Sequence, residues 1–174
     1  PVVINYGDGD IRIVVGTNHG VLHMFEDTDA TNTIIENWAF MPKEFFKNIA
    51  SLKNNYTSSD KVYGIDGTPV SFIYDKNNNG TVEVSDGDKA WVFFGLRRGG
   101  SSYYGLDVTN PASPELLWHI DQDTAGFSEL GESWSTPRVV YSRINISDDG
   151  NAAKPAVIFA AGYSTTKDLP TIGT

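Results

Sequence analysis

Short apolar runs of alternating or β-branched character recur along this chain, each closed by glycine or by a polar turn. Pro1-Val2-Val3-Ile4, Thr68-Pro69-Val70-Ser71-Phe72-Ile73 and Thr136-Pro137-Arg138-Val139-Val140 open three successive segments, with Pro1, Pro69 and Pro137 spaced 68 residues apart. A second apolar run follows each opening. These are Ile11-Arg12-Ile13-Val14-Val15-Gly16, Trp91-Val92-Phe93-Phe94-Gly95 and Ala156-Val157-Ile158-Phe159-Ala160-Ala161-Gly162. The first two segments add an alternating stretch, from Gly20 to Phe25 and from Ser102 to Val108. Both then end on a run that carries tryptophan, Trp38 between Ile35 and Phe40 and Trp118 between Glu115 and Ile120. Runs of this length and composition read as strands.

Four short strands per repeat, in a constant order, predict the blades of a β-propeller. The predicted fold is all-β, part of a modified propeller with about two and a half four-stranded antiparallel blades. The repeats fall at about 1–66, 67–132 and an incomplete 133–174. A propeller closes with about four blades or more, so the chain is expected to be an excerpt of a longer protein. Its first expected partners are the remaining blades of that parent, without which open sheet edges make it a poor stand-alone domain.

Two stretches break the strand pattern. From Met41 to Gly64 the chain suggests one short helical insertion near residues 42–52, with Pro42 at the first helical position. Phe45, Phe46, Ile49 and Leu52 would share one helical face, followed by a polar loop from Asn54 to Asp60. From Asp75 to Lys89 a polar run splits the first two strands of the second repeat.

Charge narrows the function. Twenty-two acidic residues against 13 basic ones give a net charge of −9, which repels phosphate backbones, so no nucleic-acid partner is expected. The absence of cysteine excludes disulfides and thiolate metal sites. No apolar run approaches the length of about 18 residues that marks a membrane helix.

The polar run carries the strongest chemical signal. In Asp75-Lys76-Asn77-Asn78-Asn79-Gly80-Thr81-Val82-Glu83-Val84-Ser85-Asp86, oxygen side chains occupy positions 1, 3, 5 and 9, with glycine at 6 and a carboxylate at 12. Calcium is a hard cation that takes six to eight oxygens, and alternating donors on a curled backbone suit it. Gly80 permits the sharp turn, Thr81 offers its carbonyl, and Val82 points the opposite way to pack on the fold. The competing reading is a plain polar hairpin turn, since Asn79-Gly80 is a strong two-residue turn signal.

Other groups carry less. Gly95-Leu96-Arg97-Arg98-Gly99-Gly100 lacks the lysine of a P-loop and reads as a wide turn, with Arg97 and Arg98 as anion contacts or as partners for carboxylates. His19 and His23 lack a third ligand for zinc. Asp121, Asp123, Glu129 and Glu132 read as a solvated acidic connection rather than a glycosidase pair. No nucleophile elbow or histidine-centred triad is present, so no catalysis is expected.

Taken in order, these pieces resemble a known family. Val14-Val15-Gly16-Thr17-Asn18-His19-Gly20-Val21-Leu22-His23-Met24-Phe25 and Trp38-Ala39-Phe40-Met41-Pro42 are similar to the C-terminal propeller of type IV pilus tip-associated adhesins, the PilC/PilY family. So are Val62-Tyr63-Gly64-Ile65-Asp66-Gly67-Thr68-Pro69-Val70 and Leu130-Gly131-Glu132-Ser133-Trp134-Ser135-Thr136-Pro137, with Ala161-Gly162-Tyr163 beyond them. The most specific piece runs from Gly95 to Pro111.

The resemblance implies a modified seven-bladed propeller on an exported, non-enzymatic protein of the Gram-negative cell surface, at the pilus tip or outer membrane. It implies roles in pilus biogenesis, twitching motility and adhesion, with minor pilin subunits and a host-surface ligand as partners. It also implies a Ca2+ site whose ligands are Asp75, Asn77, Asn79, the carbonyl of Thr81, and Glu83. Asn79 stands where an aspartate is common, and Asp86 lies outside the matched part as a water-mediated contact. Two other readings stand beside it. A quinoprotein-type dehydrogenase propeller shares the flavour of the Val14–Trp38 stretch, but its tryptophan repeat should recur and the second repeat has a different turn. A carbohydrate-binding lectin propeller would use an exposed aromatic, Trp134 or Tyr163.

Overall fold

The computed structural model describes residues 1–28, 33–55, 61–143 and 154–164. Among these residues, ten strands form three separate antiparallel sheets. The first joins β1 (Val2–Asn5), β2 (Ile11–Gly16), β3 (Leu22–Thr28) and β4 (Thr33–Phe40) in chain order. The second repeats that order with β5 (Val70–Tyr74), β6 (Lys89–Gly95), β7 (Tyr103–Asp107) and β8 (Glu115–Ile120). The third is a pair, β9 (Arg138–Ser142) with β10 (Lys154–Ile158). Four-stranded meanders laid side by side are propeller blades, as the order of apolar runs predicts.

The two complete blades repeat each other in detail. Met24 pairs with Trp38 and the register then slips, so that Phe25 faces Glu36. In the second blade Gly105 pairs with Trp118 and the same slip puts Leu106 opposite Leu116. A bulge of this kind bends the outer strand and increases its twist. Both tryptophans therefore sit at equivalent bends.

Burial follows each blade's place in the stack. On β2 burial alternates, with Arg12 and Val14 buried between half-buried neighbours. On β6 Val92, Phe93 and Phe94 are all buried, because the second blade is covered on both faces. One face, with Ala90, Val92, Phe94, Tyr104 and Leu106, belongs to a single apolar cluster with Ile4, Val14, Leu22 and Met24 of the first blade. On the other face Phe93 stacks on Trp118 at 5.5 Å, and Tyr103 stacks on Phe159 beyond β10 at 4.1 Å.

The insertion between blades is helical where expected, but its winding changes along its length. Residues Lys43–Asn48 wind as a 3₁₀ helix with Pro42 as its cap, and only Ile49–Asn54 form α-helix, α1. Three residues per turn eclipses side chains at i and i+3. Phe46 and Ile49 are thus lined up with solvent, 58% and 48% exposed, while Phe45 alone is fully buried, 1% exposed. The expected four-residue face is not formed. Residues 56–60 of the expected polar loop lie outside the described residues.

Candidate functional site

The polar run emerges where expected, as the connection from β5 to β6, with Tyr74 paired to Lys89 across its mouth. In the first blade the same connection is the tight turn from Tyr6 to Asp10. The extra length forms a curl held by its own side-chain oxygens. Asp75 Oδ1 accepts the backbone N–H of Asn78 at 2.6 Å and of Asn79 at 3.3 Å, and Oδ2 accepts Gly80 N–H at 2.7 Å. Asn77 Oδ1 also accepts the Asn79 N–H, at 3.0 Å. Asn79 Oδ1 accepts Thr81 N–H at 2.9 Å and the Thr81 hydroxyl at 2.7 Å. Across the curl, Asn79 Nδ2 donates to Glu83 Oε2 at 2.8 Å. Gly80 has φ +85°, a left-handed conformation that glycine adopts without strain.

Asp75, Asn77, Asn79 and Glu83 are thus gathered on one turn, with the Thr81 carbonyl in the segment between them. The donors are all hard oxygens, two of them on carboxylates, a chemistry that fits an alkaline-earth cation and not a soft metal. Counting only His, Asp and Glu, no trio able to hold a metal stands together among the described residues. Any site here depends on amide and carbonyl oxygens as well as its two acids. Asp86 joins the curl through Asn77 Nδ2, which donates to its Oδ2 at 2.5 Å.

One residue of the curl escaped the sequence reading. Asp88 is 1% exposed, accepting Lys76 N–H at 2.9 Å and Glu83 N–H at 3.0 Å. Those two backbone donors hold its carboxyl below the usual aspartate range. It clasps the loop at both ends, beside Asp75 and at Glu83. The signal was present in Asp86-Gly87-Asp88, but which acid turns inward depends on the left-handed Gly87, φ +84°.

A second polar cluster was also missed. Glu44, on the insertion, accepts the Ser102 hydroxyl at 2.5 Å on Oε1 and the Tyr104 hydroxyl at 2.5 Å on Oε2. His119 Nε2 lies 3.2 Å from Glu44 Oε1 and 3.6 Å from Asp121 Oδ2, and Lys43 reaches Asp121 at 3.6 Å. Burial raises the Glu44 pKa, but the two hydroxyls and His119 outweigh it and leave it below the ordinary value. Burial and then Glu44 push the Tyr104 phenol well up. These contacts fasten the insertion to β7 and β8.

The remaining candidates resolve into structural roles. His23 Nδ1 meets Glu36 at 2.8 Å and its ring stacks on Phe25, while His19 is exposed in its turn. Arg98 forks onto Asp66 at 2.8 and 3.2 Å and lies over the Tyr63 ring, and Arg97 lies over Trp134. Both arginines are occupied by carboxylate or aromatic neighbours. Trp134 and Tyr163 are 40% and 45% exposed, and Trp134 Nε1 donates to Glu132 Oε2 at 2.8 Å.

The blades and the oxygen-lined insertion define a β-propeller segment with a polar loop between the first two strands of its second blade. The family model of the PilY1 beta-propeller domain matches residues 7–170, and the chain belongs to that family. It is 35% identical over 161 residues to a type IV pilus biogenesis factor PilY1 of Pseudomonas aeruginosa, matching 90% of this chain and 12% of that protein. It is 31% identical over 134 residues to a PilY1 homolog of Xylella fastidiosa, matching 73% of this chain and 9% of the homolog. The crystal structure of the Pseudomonas aeruginosa PilY1 C-terminal domain is similar with a TM-score of 0.60 at 31% identity, across 92% of this chain and 27% of that one. The chain thus spans about an eighth of the length of the Pseudomonas aeruginosa relative, matching 12% of it.

Proposed function

We propose that this chain is a calcium-binding module within the propeller of a type IV pilus biogenesis factor, acting by binding and assembly rather than catalysis. The observation that carries the reading is the inserted curl, whose oxygens at Asp75, Asn77, Asn79 and Glu83 gather on one turn within a blade of this family. Ca2+ would be held by those four side chains and the Thr81 carbonyl, which would exchange contacts with loop N–H groups for contacts with the ion. Two carboxylates among five ligands place the affinity at about 10⁻⁶ to 10⁻³ M, the sensor-to-extracellular range. Magnesium competes poorly because it demands a smaller octahedral shell and gives up water reluctantly.

The family supports a place on the bacterial surface, at the pilus tip or outer membrane. There the remaining blades of the parent, pilin subunits and a host-surface ligand are the partners. Through them the module serves pilus assembly, twitching motility and adhesion. The test is calcium titration calorimetry on the full-length parent, with and without Asp75→Ala, together with piliation of cells carrying each form. Loss of one calcium equivalent and altered piliation support the reading. Unchanged calcium binding by Asp75→Ala would overturn the site.

A further inference from the structure

The curl leans on the neighbouring blade. Val82, between Thr81 and Glu83, is 5% exposed and belongs to the apolar cluster that joins Ile4 and Val14 of the first blade to Ala90, Leu106 and Val108 of the second. Its N–H donates to the carbonyl of Asn5, the last residue of β1, at 2.9 Å. The Asn5 side chain returns the contact, Nδ2 donating to the Gly80 carbonyl at 3.2 Å while Oδ1 accepts Gly7 N–H at 3.0 Å. A Cβ at Gly7 would lie 3.6 Å from the Thr81 methyl and 3.8 Å from Glu83 Oε1, so this turn faces the far half of the curl. The next residue, Tyr6, donates its hydroxyl to the Val108 carbonyl at 2.5 Å, adding a further tie between the blades.

The segment from Gly80 to Glu83 therefore carries two loads. It holds two of the proposed ligands, the Thr81 carbonyl and the Glu83 carboxylate, and it also makes the backbone and side-chain contacts that bind the β1–β2 turn. Resting on the calcium reading above, we propose that the loop is a cation-dependent staple between the first and second blades, with Asn5 and Val82 transmitting metal binding to the blade contact. Loading the curl fixes Gly80–Glu83 and so secures the first hairpin. Reciprocally, the docked hairpin holds half of the ligand arc in place before the ion arrives. Linkage requires the two effects to be equal in free energy. Asn5 touches no metal, yet its loss should weaken calcium binding.

The experiment is hydrogen exchange across a calcium titration of the full-length parent, read on peptides covering residues 2–12 and 75–88. Saturating calcium is expected to slow exchange in both regions, with one shared midpoint. Asn5→Ser keeps a short acceptor for Gly7 N–H but cannot reach Gly80. It is expected to raise the calcium midpoint about 5- to 10-fold, near the low end of measured couplings, and to confine protection to residues 75–88. Asp75→Ala is expected to remove the calcium response of residues 2–12, read against its own calcium-free exchange, and it carries the test should Asn5→Ser not fold. Protection of 75–88 with no response at 2–12 would overturn the staple and leave the calcium site standing. No response in either region at millimolar calcium would overturn both.

Discussion

At the scale of single residues, one buried and one half-buried carboxylate, Asp88 and Glu44, hold irregular parts of this chain in place. Asp88 offers both oxygens to backbone donors at the two ends of the curl. Asp88→Asn keeps one acceptor and turns a donor toward one N–H, so the ends should part slightly. Residues that orient metal ligands without touching the metal typically cost 10–100-fold in affinity when changed. A weakening of about tenfold is expected, measured by calcium titration of the full-length protein. Asn79→Asp works in the opposite direction, adding charge to the proposed ligand set, and should tighten binding in the same measurement.

Glu44 gives the chain a pH dependence of definite sign. Its folded pKa lies below the ordinary glutamate value of about 4.3, so its contribution is complete above that pH and is lost as the pH falls through the lowered value. Ser102, Tyr104 and His119 face it, with Asp121 and Lys43 one step beyond. Glu44→Ala strands two hydroxyls on a largely buried surface and should cost about 2–3 kcal/mol, seen in the denaturant midpoint. Glu44→Gln should flatten the acid limb of stability below about pH 4.3. An unchanged acid limb would remove Glu44 from the account.

At the scale of elements, the blade's outer strand is set by its tryptophan. Gly105 lies opposite Trp118, and a Cβ there would fall 2.6 Å from the indole ring. In the first blade Met24 occupies the equivalent place opposite Trp38, whose indole N–H instead reaches the Pro111 carbonyl at 3.0 Å. The glycine lets Trp118 lie flat on the strand pair and stack on Phe93. Gly105→Ala should displace that ring and cost about 1–3 kcal/mol, the usual penalty of overpacking, with a change in tryptophan fluorescence as its signature.

The insertion after β4 shows a different logic. Its 3₁₀ turn is pinned by one buried ring, Phe45, against Gly20 and by Glu44 on the next blade. Helical propensity does not decide its winding. A segment of so few residues gains little from its own hydrogen bonds and takes whatever turn lets its anchors reach.

Across the whole molecule, the two faces of the second blade are treated unequally. Its contact with the first blade is filled by side chains from β6 and β7. Its other face meets β9, β10 and the segments beside them, including Phe159, leaving a cleft of about 680 Å³ lined by Phe93, Leu117, Trp118, Ile120, Val139 and Phe159, among others. In the filled contact the corresponding space is taken by residues such as Tyr104 and Leu106 of β7. Further strands of the parent protein are the natural cover for a surface this apolar. Produced alone, residues 1–174 are expected to bind an apolar dye and to self-associate, and a longer chain that includes the next blade should do neither. A monomer with a sharp cooperative melt and no dye binding would count against the blade stacking described here.

The sequence by itself determined the blades, because a period of two assigns each side chain to a face and needs only neighbours to be read. That rule placed the strands within a few residues of their observed ends and turned Val82 inward. It also located the polar insertion between the first two strands of the second blade. Tertiary structure alone decided the links between residues far apart in the chain. Glu44 with Tyr104 and Asn5 with Gly80 are separated by 60 and 75 positions, and no local pattern marks one as the partner of the other. Asp88 among the loop acids and Phe45 among the insertion's rings were selected the same way. These choices follow from how the blades stack. Each buried donor or acceptor must find whatever partner the neighbouring blade brings within reach.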